Sequence, residues 1–291
     1  MENFGKVARE TRKSRRNLKL REFKNLDSSE ATLSRFENKG SIRLDTFFKW
    51  TEIVGISAEE FFFAANGYKL TGYHDLLNKT ADLREGNHKQ GLKKLLSDTK
   101  WRIDYEKNVT FYDRMNYLMI KNIISNFLEE ETLTTREKNK ISEYLYSIED
   151  WTNYELVLYG NTMQIFSTDE IIKLSNTVAT RAARFQGVLK NKSKIAEILV
   201  NTVITLVTRK DYNNATYFRI QAEKNLDSQD SHNRLLLLFA EGTIDFYNNR
   251  EMRGKEKMEY VVNAFTMIKS FGYADIYQKY YDEVTKNSEN H

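Results

Sequence analysis

Four basic side chains near the amino terminus are the first candidates for binding chemistry. They lie close together, at Arg12, Lys13, Arg15 and Arg16. A Lys or Arg side chain can neutralise a phosphate oxygen, and such contacts supply salt-dependent affinity without choosing a sequence. The cluster therefore predicts contacts to a phosphate backbone. A charged face that serves only solubility stays open as the alternative.

The distribution of charge supports a polyanionic partner for this end of the chain. Residues 1–40 contain eleven Lys and Arg against six Asp and Glu, a net charge of +5, whereas all 291 residues together carry +4. Basic charge gathered in one short segment is typical of an element that binds nucleic acid.

The stretch "SSEATLSRFEN", residues 28–38, contains a second group of candidates, at Ser29, Thr32 and Arg35. Its opening serines can cap a helix, and the apolar spacing turns these three side chains outward near the first turns. Thr32 could contact a thymine methyl group, and Arg35 could donate to a guanine or a phosphate. Two alternatives stay open, because Ser29 could be only a cap and Arg35 could pair with an acid such as Glu37.

Two asparagines within apolar stretches suggest a different kind of contact. Asn161 lies in "LVLYGNTMQIF" and Asn201 in "IAEILVNTVITLV". A carboxamide donates and accepts at once, so it can bind both backbone groups of an extended peptide, and burying it without a partner is costly. An amide satisfied by a neighbouring helix is the alternative interpretation.

Further candidates for contacts to a peptide are arginines, for its carboxylate, and aromatic side chains that could line a groove. They are Arg181, Arg184, Arg234, Phe166, Tyr217 and Phe218. A structural salt bridge is the commoner fate of such an arginine. Most of the 34 Phe and Tyr side chains must also belong to the core.

The sequence gives little support for catalysis, a metal or a cofactor. It contains no cysteine, which excludes disulfides, thiolate ligands and cysteine nucleophiles. It also lacks a G-x-G-x-x-G motif, a P-loop and a G-x-S-x-G motif. The four histidines show no metal-ligand spacing: His74, His88, His232 and His291. We therefore expect a protein that is not an enzyme.

The composition predicts an all-α fold that presents these residues. The chain has no proline and only 12 glycines, and proline is the residue that most strongly breaks helix interiors. Five short helices are expected within residues 1–68, and their basic first helix and polar third helix predict a helix-turn-helix DNA-binding domain. The third helix of this chain would then be the recognition helix, which enters the major groove, whereas an ordinary helical subdomain is the alternative.

Longer amphipathic helices are predicted from residue 73 to residue 291. Eleven candidates follow one another with short loops, which makes neighbouring helices antiparallel. Gly242 and Ala264, and earlier Ala215, are spaced like the close-packing positions of a degenerate tetratricopeptide repeat. The region is therefore expected to form a TPR-like α-solenoid, whose concave surface suits an extended peptide.

Several motifs in order along the chain are similar to those of one known family. They are "RKS" at 12–14, "TLSRFEN" at 32–38, "YELVLYGN" at 154–161, "ILVNTVITLVTRKDYNNA" at 198–215 and "NRLLLLFAEG" at 233–242. Together they resemble the Rgg/GadR/MutR transcriptional regulators of low-GC Gram-positive bacteria, which belong to the wider peptide-sensing RRNPP group.

The resemblance implies a homodimeric regulator that binds a pseudo-palindromic operator in double-stranded DNA and senses a short, mostly apolar signalling peptide. Two departures matter. Thr32 replaces a glutamine that is common just before "LSRFE", which puts the preferred bases in doubt. The absence of cysteine rules out the intersubunit disulfide of some relatives.

The expected dimer interface is the aromatic stretch "YADIYQKYYDEV". We expect a cytoplasmic protein without a membrane partner, because the amino terminus lacks the apolar core of a signal peptide. Two other functions stay open: a scaffold that uses only its repeat surface, and a regulator that binds DNA without any peptide.

Overall fold

A computed structural model describes residues 4–15, 18–23, 30–131, 133–181 and 189–286. Within these ranges the protein consists of fifteen α-helices and two short 3-10 helices, without a strand, which confirms the all-α prediction. Among the described helices, none is long and apolar enough to cross a bilayer. The chain forms two compact units, Met1–His88 and Lys89–His291.

The first unit contains five α-helices and a 3-10 helix at Leu20–Phe23. The α-helices are α1 (Phe4–Ser14), α2 (Glu30–Lys39), α3 (Leu44–Val54), α4 (Ala58–Ala65) and α5 (Gly72–Glu85). The helices α1, the 3-10 helix, α2, α3 and α4 correspond in order to the five helices that were predicted within residues 1–68. The predicted third helix is therefore α2. The change of domain was expected between residues 68 and 73, whereas the compact units divide at His88 and include α5 in the first.

Aromatic side chains fill the core of the first unit. Trp50 on α3 is fully buried, and its ring lies edge-on to those of Phe36 on α2 (5.8 Å between centroids) and Phe61 on α4 (5.6 Å). Edge-to-face rings stabilise a core beyond the area that they bury. The core therefore fixes α2, α3 and α4 against one another.

Local signals set the ends of these helices where the sequence predicts them. Gly40 and Gly55 follow α2 and α3 with φ angles of 71° and 70°, a left-handed conformation that glycine adopts without a Cβ penalty. Ser57 and Glu60 form the expected capping box at the start of α4, which satisfies two amide groups that the helix itself leaves unpaired.

The second unit contains ten α-helices, with a 3-10 helix at Met163–Ile165. They are α6 (Lys89–Tyr105), α7 (Phe111–Leu128), α8 (Thr135–Ser147), α9 (Asn153–Thr162), α10 (Thr168–Arg181), α11 (Leu189–Thr208), α12 (Tyr212–Asn225), α13 (Ser231–Tyr247), α14 (Glu251–Met267) and α15 (Phe271–Lys286). Thr110 and Thr134 cap α7 and α8 with acidic partners three residues later. Together with α5, which belongs to the first unit, these described helices make up the eleven that were predicted from residue 73, in the same order.

The helices of the second unit stack as a TPR-like repeat. The helices α7, α9, α11 and α13 form a continuous row, each packed on the next. The intervening α10 and α12 pack against the row, α14 packs on α13, and α15 packs on α14. Buried apolar side chains run through the row, including Ile124, Leu158, Val203 and Ala240.

The backbones of α13 and α14 approach each other closely at two glycines. A Cβ atom on Gly242 would lie 2.8 Å from the carbonyl oxygen of Gly254, and one on Gly254 would lie 2.6 Å from that of Gly242. The two backbones therefore touch, as the sequence predicts for Gly242. Ala215 on α12 is also fully buried, whereas Ala264 on α14 is only half-buried.

Candidate functional site

A buried ion pair joins α1 to α2. The guanidinium of Arg12 donates two hydrogen bonds to the Glu37 carboxylate, from Nε to Oε1 (2.5 Å) and from Nη2 to Oε2 (2.9 Å). A third hydrogen bond runs from Nη1 to the carbonyl oxygen of Leu18. The hydrogen bonds and charge of Glu37 raise the pKa of Arg12 above its ordinary value, although burial opposes this.

The prediction that Arg12 contacts phosphate from an exposed face is wrong, because the side chain is buried. The residue is only 8% exposed, and its three nitrogens are engaged within the protein. The error arose because helical spacing identifies residues that share a face, not the acid 25 positions later that covers one of them. In the structure Arg12 links α1 to α2.

Two further contacts strengthen the attachment of α2. Arg9 donates a hydrogen bond to the side chain of Asn38 and lies 3.6 Å from a Glu37 oxygen. Gly5 permits close approach, because a Cβ atom there would lie 2.6 Å from the carbonyl oxygens of Phe36 and Glu37. The orientation of α2 is thus fixed by α1 at both side-chain and backbone level.

The remaining basic residues of this site are accessible where the structure describes them. Lys13, Arg15 and Arg35 are exposed, and Thr32 is half-buried. The alternative pairing of Arg35 with Glu37 does not occur, because Glu37 bonds Arg12, and no ion pair of Arg35 is found in the described part of the chain. Two predicted contacts, Arg16 and Ser29, lie outside the described residues.

The two asparagines of the repeat have different environments. Asn161 donates from Nδ2 to the carbonyl oxygen of Val157 one turn earlier (2.8 Å), while its own backbone carbonyl accepts from Asn122 (2.9 Å). Its amide donor is thus used within α9, as the alternative interpretation supposed. Asn201 is half-buried on α11, and no hydrogen bond of its carboxamide is found among the described residues.

Of the predicted aromatic groove residues, only Tyr217 lies at the surface. It is exposed on α12 and donates its hydroxyl to Oδ1 of Asn176 on α10 (3.2 Å). The prediction for Phe166 is wrong, because this ring is buried and packs against Tyr159. Phe218 is buried as well. Aromatic spacing on helices did not separate surface from core.

Arg234 bonds backbone carbonyl oxygens and not a carboxylate. It donates from Nε to the carbonyl oxygen of Asp227 (3.0 Å) and from Nη2 to that of Leu226 (3.2 Å). These carbonyls follow the end of α12, so the arginine caps that helix terminus. The side chain of Arg181 and the whole of Arg184 lie outside the described residues.

A chain of charged side chains on three helices was missed by the sequence analysis. Arg219 on α12 lies 2.9 Å from Glu241 on α13, and Lys257 on α14 lies 3.1 Å from Glu241 and 2.9 Å from Asp245. The partners from different helices are separated by 12 to 22 positions along the sequence. No local pattern could have predicted this network.

The chain matches a known family over most of the second unit. The family model described as the C-terminal domain of the HTH-type transcriptional regulator Rgg covers residues 99–279, which is more than half of the chain. This match confirms the resemblance noted from the sequence motifs.

Solved structures share the fold over nearly the whole chain. The SHP pheromone receptor Rgg2 of Streptococcus dysgalactiae is 20% identical with a TM-score of 0.81, covering 96% of this chain and 99% of that chain. A protein of Listeria monocytogenes EGD-e described as a transcriptional regulator is 16% identical with a TM-score of 0.80, covering 99% of both.

PrgX in complex with iCF10 is 12% identical with a TM-score of 0.75, covering 99% of this chain and 98% of that chain. These likenesses show that the helical fold is shared over nearly the whole chain. Together with the family match over residues 99–279, they lead to one conclusion: the chain belongs to the Rgg family of helix-turn-helix-type transcriptional regulators.

Proposed function

We propose that this regulator is a cytoplasmic homodimer that binds double-stranded DNA through residues 1–68 and senses a short, mostly apolar peptide through residues 73–291. The observation that carries the proposal is the geometry of α2. Its outer face contains the exposed Arg35 and the half-buried Thr32, while the buried Arg12–Glu37 pair fixes the helix from behind.

The proposed DNA contacts divide into positioning and reading. Lys13, Arg15 and Arg16 neutralise phosphates, which gives affinity but no sequence choice. Thr32 and Arg35 on α2, and Ser29, which precedes α2 in the sequence, meet base edges in the major groove. The buried Arg12 is removed from the phosphate-binding group.

A homodimer suits a pseudo-palindromic operator, whose half-sites lie about one helical turn apart. The predicted interface, residues 273–284, contains the exposed apolar side chains Tyr273 and Ile276, and Met267 and Phe271 just before it in the sequence are exposed as well. Exposed apolar side chains that group into a patch mark association surfaces. The substitution Ile276→Glu is expected to shift the protein towards monomer in analytical ultracentrifugation, and an unchanged sedimentation coefficient would argue against this interface.

The proposed peptide partner is supported by the nature of proteins that share the fold. One is described as an SHP pheromone receptor and another was solved in complex with iCF10. In this chain, Asn201 and Tyr217 are the predicted peptide contacts that remain accessible. The peptide would shift the dimer between arrangements that it binds with unequal affinity. The proposal includes no catalytic step, metal or cofactor.

Salt-dependent DNA binding tests the first half of the proposal. The full chain is titrated with the DNA upstream of its own reading frame at several salt concentrations. Removing two phosphate contacts with Lys13→Ala and Arg15→Ala should reduce the salt slope by about 2, and Arg35→Ala should cost about 1–3 kcal/mol and relax sequence preference. The matched control is Lys69→Ala, at an exposed lysine of the same unit.

Binding no tighter to the upstream DNA than to random DNA would instead support a scaffold that uses only the repeat.

Calorimetric titration with synthetic peptides from neighbouring short reading frames tests the proposed peptide binding. Tyr217→Ala should weaken the binding of an active peptide, whereas Tyr105→Ala, at another exposed tyrosine, should not. A flat trace for every peptide would favour a regulator that needs none.

A further inference from the structure

A cavity in the second unit is lined by a different set of residues from those proposed to bind the peptide. It has a volume of about 160 Å³ and is bounded by the carboxy-terminal parts of α11, α13 and α15 and by the first residue of α12. Asn201 and Tyr217 are not among the residues that line it, although Ile204 of its wall lies one turn from Asn201 on α11.

Aromatic rings form its walls. Tyr212 and Tyr247 stack with their centroids 4.8 Å apart, and Phe239 meets Tyr277 at the same distance, edge to face. Phe239 and Tyr277 are both buried. Rings that pack against one another are held in place, so the walls are preformed rather than assembled by a ligand.

The polar groups of the cavity favour an uncharged occupant. Thr208 and Thr243 donate their hydroxyls to carbonyl oxygens of their own helices, which leaves hydroxyl oxygens that can accept a hydrogen bond. The two charged lining residues, Lys210 and Glu283, are exposed and have opposite signs. An ion inside would lose its hydration without gaining a buried counter-charge.

The volume limits the size of the group that can enter. An engineered, enclosed apolar cavity of about 150 Å³ in another protein holds one benzene molecule, and the cavity here measures about 160 Å³ and is open to solvent on one side, so it can take one ring while the rest of a larger molecule stays outside. We infer that this cavity is a binding site for a single neutral aromatic ring, with a hydroxyl or N–H group that can donate to the threonine and tyrosine oxygens. The ring belongs either to a free small molecule or to a side chain of a bound peptide.

Occupancy would have a structural effect on the last helix. α15 lines the cavity through Tyr277, Tyr280 and Val284, whereas α11 and α13 supply the opposite wall. A ring that contacts all three helices adds contacts between α15 and the row. Because it binds only the folded arrangement, it stabilises that arrangement by mass action.

The test uses the full chain with phenol, indole, benzene and N-acetyl-phenylalaninamide as probes. Ligand-observed NMR titration should give dissociation constants on the order of 1 mM for phenol and indole, and the thermal midpoint should rise with their concentration. Binding of the amide would indicate a peptide side chain as the natural occupant. Binding of the free rings alone would indicate a small molecule.

Two variants fill the cavity from different helices, Val207→Phe on α11 and Val284→Phe on α15, both at half-buried positions. Each should weaken the binding of phenol at least tenfold. The control Met252→Phe, at an exposed position outside the cavity, should bind phenol as the unchanged chain does. Failure of every probe to bind the unchanged protein would overturn the inference, as would undiminished binding by folded filled variants. Neither result depends on a peptide or on DNA.

Discussion

The buried pair between Arg12 and Glu37 leads to a quantitative prediction. Their side chains are only 9% and 4% exposed. Glu37→Leu leaves the buried Arg12 without its carboxylate, and Arg12→Met leaves the buried Glu37 with only the 3.6 Å contact to Arg9; breaking a buried pair in this way typically costs 3–5 kcal/mol. We therefore expect Glu37→Leu and Arg12→Met each to destabilise the first unit by about 3 kcal/mol. Because about 1 kcal/mol shifts the melting temperature of a domain of this size by about 4–8 °C, each midpoint should fall by about 12–24 °C.

The double variant Arg12→Met with Glu37→Leu should behave differently. Replacing a buried ion pair by apolar side chains of similar volume is often neutral or stabilising, so its stability should lie within about 1 kcal/mol of the unchanged protein. The coupling energy between the two positions is then several kcal/mol. Additive effects of the two single substitutions would refute the argument.

Fluorine NMR of the full chain labelled with 5-fluorotryptophan separates the two units. Trp50 is buried in the first unit, whereas Trp101 and Trp151 belong to the second, so urea unfolding can be followed for each. Glu52→Gln, at an exposed position of α3, is the matched control and should change stability by less than about 0.5 kcal/mol.

The same double variant distinguishes a structural arginine from one that binds phosphate. If Arg12 only holds α2, the folded double variant keeps the salt slope of DNA binding. If Arg12 reaches a phosphate, the slope falls by about 1. The latter result would restore the interpretation that the buried position of Arg12 contradicts.

Two further predictions concern the repeat. Although partial burial opposes it, the hydrogen bonds from Lys121 and Thr134 lower the pKa of Glu137 below its ordinary value of 4.5. Ionised Glu137 therefore stabilises the second unit above about that pH, and this contribution is lost as the pH falls through the lowered pKa. Glu137→Gln should cost about 2 kcal/mol at pH 7 and should weaken the loss of stability at acid pH in urea titrations, whereas an unchanged acid dependence would argue against it. Gly242→Ala should destabilise the same unit by about 1–3 kcal/mol in thermal unfolding, because the added methyl meets the backbone of α14, whereas Gly272→Ala, with open space around it, should be neutral or slightly stabilising.

The fold could be predicted largely because its signals are local. Gly40, Gly55 and the Ser57–Glu60 box each act within a few residues of the helix end that they define. Apolar spacing likewise indicated the buried face of α2, where Leu33 and Phe36 lie in the core. These signals depend on residue type and spacing along the chain, which can be read directly from the sequence.

The candidate site could be predicted less well because its contacts are distant in sequence. Arg12 is covered by Glu37, which lies 25 positions later in the sequence. Arg234 is held by carbonyl oxygens that follow the end of α12. Phe166 shows the same difficulty for an apolar residue, because a ring next to a polar turn can still be covered by the neighbouring helix. Periodicity defines a face, but only packing determines what covers it.

The contact between Gly242 and Gly254 affects how motion can travel through the repeat. Most helices slide over one another by changing the rotamers of the side chains between them, but here main chain meets main chain. Because neither glycine has a side chain that could adjust, sliding of α13 over α14 at this crossing is disfavoured. A displacement of α13 would thus be passed to α14 and, through the packing of α14 on α15, towards the last helix.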